Sequence, residues 1–133
     1  MSSRNRPSWI LLAAAVYNIV WGASVVLFPD WFFLFAGMEL PVYPEIWQCV
    51  GMIVGVYGLG YGIAAWDPVR HWPIVLVGLL GKILGPIGFV IALVEGTFTP
   101  RAGLTILTND LVWWVPFTLL LWRAYRAHHP RKT

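Results

Sequence analysis

The residues Gly78-Leu79-Leu80-Gly81-Lys82-Ile83-Leu84-Gly85-Pro86-Ile87-Gly88 occupy the middle of an apolar run that extends from residue 74 to residue 94. A run of about 20 apolar residues predicts a helix that spans a bilayer. Lys82 interrupts this run, and an ammonium near the centre of a membrane helix costs about 2.5–3.5 kcal/mol. An ionisable residue at such a depth is a hypothesis of a functional site, provided that it has a partner.

The composition of the whole chain also favours a membrane protein. Of its 133 residues, 59% are hydrophobic and 11% are charged, compared with roughly 25% charged residues in ordinary globular proteins. So small a soluble core could not bury all the apolar runs. We therefore predict an all-α integral membrane four-helix bundle formed by one domain, residues 1–133. The predicted helices are 9–28, 46–66, 74–94 and 104–122, and a basic cytoplasmic tail, 123–133, follows them.

The connection from Pro29 to Glu45 is too apolar for a free loop and too short to cross a bilayer. It predicts an interfacial segment between the first and second helices, with Trp31 and its neighbouring phenylalanines dipping into lipid. The second helix contains two small-residue motifs, Gly51-x-x-x-Gly55 and Gly58-x-x-x-Gly62. Such motifs let a neighbouring helix approach closely.

The basic residues predict the orientation of the chain. They lie at the chain ends and in the second connection, whereas the first and third connections together contain only Arg101. Under the positive-inside rule both termini are then cytoplasmic, in an N-in/C-in multi-pass arrangement. The basic residues outside Arg101 and Lys82 are Arg4, Arg6, Arg70, Arg123, Arg126, Arg131 and Lys132. Membrane orientation accounts for this distribution of basic residues, so we do not interpret it as a nucleic-acid-binding surface and predict no nucleic-acid partner.

The polar residues of the four apolar runs lie at similar predicted depths in the membrane. At about 1.5 Å per residue, Asn18 and Tyr57 lie roughly 14 Å from the cytoplasmic end. Lys82 lies roughly 12 Å from it and Asp110 roughly 18 Å, a gap that a lysine stem can bridge. Three tryptophans fall away from the interfaces and are assigned to the interior. The candidate ligand-binding residues are Lys82, Asp110, Asn18, Tyr57, Asn109, Trp113, Trp114 and Trp21.

Two prolines interrupt the helices near these residues. Pro86 leaves the carbonyl of Lys82 without its helical donor, and Pro116 does the same to Val112. Broken membrane helices occur where they face protein or a hydrated cavity. The alternative is purely structural: Lys82 and Asp110 would form a buried ion pair that fixes helix register, with no ligand.

The cysteine and histidine residues indicate neither a disulfide nor a metal site. Cys49 is the single cysteine, so the chain cannot form an intramolecular disulfide. The three histidines lie outside the apolar runs and show no metal-ligand spacing, so we predict no metal site. The residues identify no cofactor.

The layout resembles the DoxX-like group of small bacterial membrane proteins. The resemblance rests on Asn18-Ile-Val-Trp-Gly22 leading to Phe28-Pro29, on Ala36-Gly37, and on the glycine-rich second helix that closes at Asp67-Pro68. It implies a four-helix bundle in the inner membrane of a bacterium, linked to quinone-dependent oxidation or to oxidative-stress assemblies as an accessory subunit. The segment around Lys82 and the one around Asp110 do not match that group, so no functional residue is carried over.

Three functions compete with the structural alternative. The first is an accessory or binding subunit that holds an amphiphile, a quinone or a lipid, beside a membrane redox partner. The second is a membrane enzyme in which Lys82 serves as a base or as a Schiff-base amine. The third is a small homodimeric transporter or proton pathway. The lipid bilayer is a partner in each of them.

Overall fold

Helices make up all the regular structure in the computed structural model, which describes residues 6–130 and contains no strand within that range. Four helices are long and apolar enough to cross a membrane: Trp9–Leu27, Pro44–Trp66, Trp72–Val94 and the composite helix Pro100–His128. The prediction of an all-α chain with four such helices is confirmed. Arg4, Arg131 and Lys132, on which the predicted orientation partly depends, lie outside the described residues.

The helices are numbered in chain order as α1 (Trp9–Leu27), α2 (Trp31–Ala36), α3 (Pro44–Trp66) and α4 (Trp72–Val94). The composite helix begins with a 3-10 turn, Pro100–Ala102, and continues through α5 (Gly103–Ile106). A π-helical stretch follows at Leu107–Leu111, here called the π segment, and α6 (Val112–His128) completes the chain.

Five helix bounds differ from the prediction. α1 ends at Leu27, one residue earlier than predicted, and the composite helix begins at Pro100, four residues earlier. α3 begins at Pro44 and α4 at Trp72, two residues earlier than predicted in each case. Proline suits the first turn of a helix, where its missing N–H would have no partner anyway. α6 continues to His128, so Arg123 and Arg126 lie on a helix and not in the predicted tail. No proline or glycine interrupts the chain there, and arginine and alanine are good helix formers.

α1 and α3 form the most closely packed pair of helices. A Cβ atom added to Gly51 would lie 2.8 Å from Cγ1 of Val25, and one added to Gly58 would lie 2.9 Å from the carbonyl oxygen of Ala15. Side chains at these positions would push the two helices apart. The first glycine of each predicted small-residue motif therefore packs against α1, as expected.

α3 and α4 are in close contact only near the connection that joins them. There, Gly60 faces Ile74, and Gly78 faces the ring of Tyr61 at 2.5 Å from an added Cβ. Farther from the connection a cavity separates the two helices. The spacing of Gly78, Gly81, Gly85 and Gly88 predicts one stripe packed against a partner helix. The structure differs, since Gly81 and Gly85 line this cavity, an added Cβ at Gly81 meets no described atom within 4 Å, and Gly85 packs only against the side chain of Asp110.

α2 covers the end of the bundle opposite the connection between α3 and α4. Its residues Phe32 and Ala36 are buried against Ala102, whereas Leu34 and Phe35 are exposed. The hydroxyl of Thr99 donates a hydrogen bond to the carbonyl of Ala36, which ties α2 to the start of the composite helix. The prediction that all the phenylalanines of this segment face lipid is therefore wrong for Phe32, which points into the protein.

Candidate functional site

The cavity between α3 and α4 has a volume of about 420 Å³ and brings most of the candidate site residues together. Six of the eight line it: Asn18, Trp21, Tyr57, Lys82, Asn109 and Asp110. Trp113 and Trp114 do not line it, although both interact with Lys82. Ligand sites for small molecules occupy about 300–1,000 Å³, so this cavity has the size of such a site.

Lys82 is only 4% exposed, and its ammonium has a defined set of neighbours. The Nζ atom donates a hydrogen bond of 2.6 Å to the backbone carbonyl of Asn109. It also lies 5.8 Å from the ring centres of Tyr61 and Trp113, and 6.0 Å from that of Phe117. Three aromatic faces and one carbonyl stabilise a cation. Trp113 thus provides a tryptophan face for the ammonium of Lys82.

Asp110 is 5% exposed and shares the cavity with Lys82, but the two side chains do not touch. Within residues 6–130, no carboxylate oxygen lies within 4.0 Å of the Lys82 ammonium. The carboxylate accepts a hydrogen bond of 3.2 Å from the side-chain amide of Asn109. It packs against α4 at Gly85, where an added Cβ would be 2.9 Å from Oδ2. The direct ion pair of the structural alternative is therefore not formed.

The π segment explains why the lysine bonds to a carbonyl. In a π turn the backbone bonds run from residue i to residue i+5, and π-bulges occur frequently at functional sites. Here the π segment contains Asn109, whose carbonyl accepts from Lys82, and Thr108, whose carbonyl accepts a 3.0 Å hydrogen bond from the indole of Trp113. The hydroxyls of Thr108 and Tyr17 are 2.9 Å apart, which links this segment to α1.

The proline break in α4 has a partner on α6. Pro86 lies inside α4 and deprives the carbonyl of Lys82 of its helical donor. The indole of Trp114 donates a hydrogen bond of 2.7 Å to that carbonyl. Trp114 thus supports the backbone of the lysine from outside the cavity, and it holds α6 against α4.

Four residues that line the cavity each have a buried side-chain polar atom with no hydrogen-bond partner among residues 6–130. Two of these atoms are acceptors, Oδ1 of Asn18 and Oδ1 of Asn109, and two are donors, Nε1 of Trp21 and Nε1 of Trp47. The side-chain nitrogen of Asn18 does have a partner, because it donates a hydrogen bond of 3.3 Å to the carbonyl of Val54. An unsatisfied buried polar group costs about 1–3 kcal/mol, so native proteins rarely keep several of them in one place.

The cavity opens sideways through the surface of the bundle. Val50, Ile53 and Tyr57 line it, yet they are 38%, 53% and 38% exposed. These side chains of α3 belong to the apolar outer surface of the helices. A molecule dissolved among lipid chains could therefore reach Lys82 without passing through water.

Four aromatic residues of the cavity are absent from the predicted site: Phe32, Trp47, Tyr61 and Phe98. The position of Trp47 near the outer end of the second apolar run predicts a place in the outer aromatic belt, which would keep its indole N–H in the wet interface. Instead its ring packs 5.1 Å from that of Phe32 and 5.7 Å from that of Trp21, with its N–H buried. The depth of Trp47 suited the belt, but depth alone carries no information on which way a ring points.

Comparison with protein-family models, with curated proteins and with solved structures found no match to this chain. Over residues 6–130, no group of three or more His, Cys, Asp or Glu side chains is placed to hold a metal ion. A functional assignment must therefore come from the chemistry of the cavity.

Proposed function

We propose that this chain is a multi-pass membrane protein that binds a small amphiphile, with the polar head of the ligand in the cavity between α3 and α4. The observation that carries the proposal is one cavity lined by a buried ammonium and by four residues whose buried polar atoms have no partner among residues 6–130. A ligand whose head forms hydrogen bonds with these residues recovers free energy that the burial of their polar atoms costs.

The donors and acceptors define the head group. The indoles of Trp21 and Trp47 and the ammonium of Lys82 offer hydrogens, so the ligand must present oxygen acceptors. The amide oxygens of Asn18 and Asn109 accept hydrogens, so O–H or N–H donors are also needed. A quinone presents two carbonyl acceptors, and its quinol presents hydroxyls that both donate and accept. The head of phosphatidylethanolamine presents N–H donors together with phosphate and ester acceptors.

The apolar part of the ligand would remain in the membrane. The exposed side chains of Val50 and Ile53 border the opening of the cavity, and an isoprenoid or acyl tail could lie across them. The proposal includes the location that the resemblance to DoxX-like proteins implies, the inner membrane of a bacterium, with a membrane redox partner beside the chain. It also includes cytoplasmic termini, since Arg6, Arg70 and Arg123 lie at the ends or in the second connection.

Thermal unfolding of the detergent-solubilised chain tests the proposal. The probes are a short-chain ubiquinone, its reduced quinol and a short-chain phosphatidylethanolamine. Ligand at 100 times its Kd stabilises by about 2.7 kcal/mol, which corresponds to a rise in Tm of at least about 5 °C. Lys82→Met and Asn18→Leu should each lose most of this rise, while Leu84→Met, on the exposed face of α4, should retain it.

The pattern of shifts identifies the class of ligand. A rise with quinone or quinol alone supports the redox version, and a rise with the phospholipid alone supports a lipid-binding version. No rise with any probe would overturn the proposal. An equal rise in the wild-type chain and in Lys82→Met would also overturn it, because binding would then occur elsewhere.

A further inference from the structure

A second cavity, of about 440 Å³, lies where α1 begins and is bordered by two arginines. Arg6 precedes α1 and Arg123 lies on α6, so residues far apart in the sequence meet at one end of the bundle. The other lining residues are Pro7, Ser8, Trp9, Ile10, Pro68, Val69 and Leu120. None of the residues that line it is acidic. Within the range 6–130, no carboxylate oxygen lies within 4.0 Å of either guanidinium.

The backbone at this end is held in place by the neighbouring helix. The N–H of Ser8 donates a hydrogen bond of 2.7 Å to the carbonyl of Ala65 near the end of α3. The hydroxyl of Ser8 accepts a hydrogen bond from the N–H of Leu11, which caps α1. Arg6, two residues before Ser8, therefore emerges from an anchored point of the chain. Leu120, one helical turn before Arg123, is buried, which fixes α6 on the opposite wall.

An apolar groove of about 750 Å³ continues from this cavity along the outer face of α1. Trp9 lines both the cavity and the groove, so the two meet at its side chain. The groove passes Ala13, Val16 and Val20 and ends beside Ser24 and the ring of Trp31. From residue 9 to residue 24, α1 rises roughly 22 Å, more than the roughly 15 Å of one leaflet of hydrocarbon.

We propose that this surface binds one anionic phospholipid, with its phosphate between Arg6 and Arg123 and an acyl chain along α1. A guanidinium forms strong charge-assisted hydrogen bonds with phosphate oxygens, and basic pockets between membrane helices bind anionic head groups. The basic cavity and the apolar groove thus match the head and the tail of a phospholipid in the correct order along α1. The basic cavity shares no lining residue with the cavity that contains Lys82, and the groove meets that cavity only at the side chain of Trp21.

The charge of this surface disfavours a second copy of the chain as its occupant. In a parallel membrane dimer the two-fold axis runs along the bilayer normal, so the same ends of the two copies lie side by side. Packing of α1 against α1 would then bring the Arg6 and Arg123 pairs of both copies together. Like charges that face each other destabilise an interface, whereas an anionic lipid neutralises them.

Native mass spectrometry of the full chain in detergent tests this site. The probes are phosphatidylglycerol and phosphatidylcholine with identical acyl chains. Each arginine near an anionic lipid is worth about fivefold in affinity, so phosphatidylglycerol should bind about thirtyfold tighter than phosphatidylcholine. Arg6→Gln combined with Arg123→Gln should abolish this preference. Arg70→Gln combined with Arg126→Gln removes the same charge nearby, outside the cavity, and should leave most of the preference.

A second pair of variants tests the groove. Ala13→Phe fills the groove and should weaken binding of both lipids, while Ile63→Phe enlarges an exposed side chain outside it and should not. Equal loss of preference in the two arginine pairs would overturn the proposal, because the attraction would then belong to the whole basic end. A dimer that Ala13→Phe dissociates in the absence of lipid would also overturn it, since the groove would then bind a second copy.

Discussion

Replacing Lys82 by methionine, Asp110 by asparagine, and both residues together measures how strongly the two buried charges interact. The structure places both side chains on one cavity without a contact below 4.0 Å between their charged atoms. The Asp110 carboxylate packs on α4 at Gly85, three residues from Lys82. Residues three apart on a helix have Cβ atoms about 5–6 Å from each other, so the charges are separated by roughly 4–8 Å.

The expected interaction follows from this separation. At an effective dielectric constant of about 20, two unit charges attract by about 4 kcal/mol at 4 Å and by about 2 kcal/mol at 8 Å. For Lys82→Met, the relief of a buried ammonium, about 2.5–3.5 kcal/mol, is offset by the lost charge-assisted hydrogen bond to Asn109, about 1.5–3 kcal/mol. The lost attraction to Asp110 then dominates. We expect Lys82→Met to destabilise by about 2 kcal/mol, and Asp110→Asn to remove most of that loss in the double variant.

The assay is unfolding of the four proteins by sodium dodecyl sulfate in mixed micelles, followed by tryptophan fluorescence. A coupling free energy of about 2 kcal/mol is expected for Lys82 and Asp110. Asp30 is exposed at the start of α2 and provides the control, a second cycle that combines Lys82→Met with Asp30→Asn. The changes in unfolding free energy of these two substitutions should add within about 0.5 kcal/mol. A Lys82–Asp110 coupling below about 0.5 kcal/mol would show that the charges are independent, which contradicts the reasoning.

Two further substitutions test the packing around the cavity in the same assay. Gly85→Ala should destabilise by about 1–3 kcal/mol, because its Cβ would lie 2.9 Å from a buried carboxylate oxygen, whereas Gly81→Ala meets nothing within 4 Å and should change stability by less than about 1 kcal/mol. Trp114→Phe should cost about 1–3 kcal/mol by removing the donor to the Lys82 carbonyl, and Trp122→Phe, exposed on the same helix, should cost much less. Equal effects within either pair would contradict the contacts described.

The helical fold could be predicted from the sequence because the bilayer imposes a length on each apolar run. A span of hydrocarbon requires about 20 residues in a helix, and the four runs satisfy that requirement. The earlier starts at Pro44 and Trp72 and the later end at His128 differ because apolarity defines where a helix crosses lipid, not where its backbone bonding stops. The orientation of the termini and the DoxX-like resemblance stay predictions.

The candidate site could be predicted in part, and the reason is energetic. Asn18, Lys82 and Asp110 are conspicuous in apolar runs because burial of each is costly, and all three line one cavity. The bonding partner of Lys82 could not be predicted, because it depends on a π turn that the 3.6-residue period does not reveal. Trp47 was missed for a different reason, since its role depends on how α2 folds over the end of the cavity.

The π segment also determines how the last helix is rotated about its own axis. One residue inserted into an α-helix turns everything after it by about 100°. On α6, Phe117, Leu120 and Ala124 face the bundle, and the indoles of Trp113 and Trp114 reach their acceptors, only in the present rotation. The number of residues between Leu107 and Leu111 is therefore as much a part of the site as their identities. A deletion of one residue there would turn a core-facing surface toward lipid and release both indoles at once.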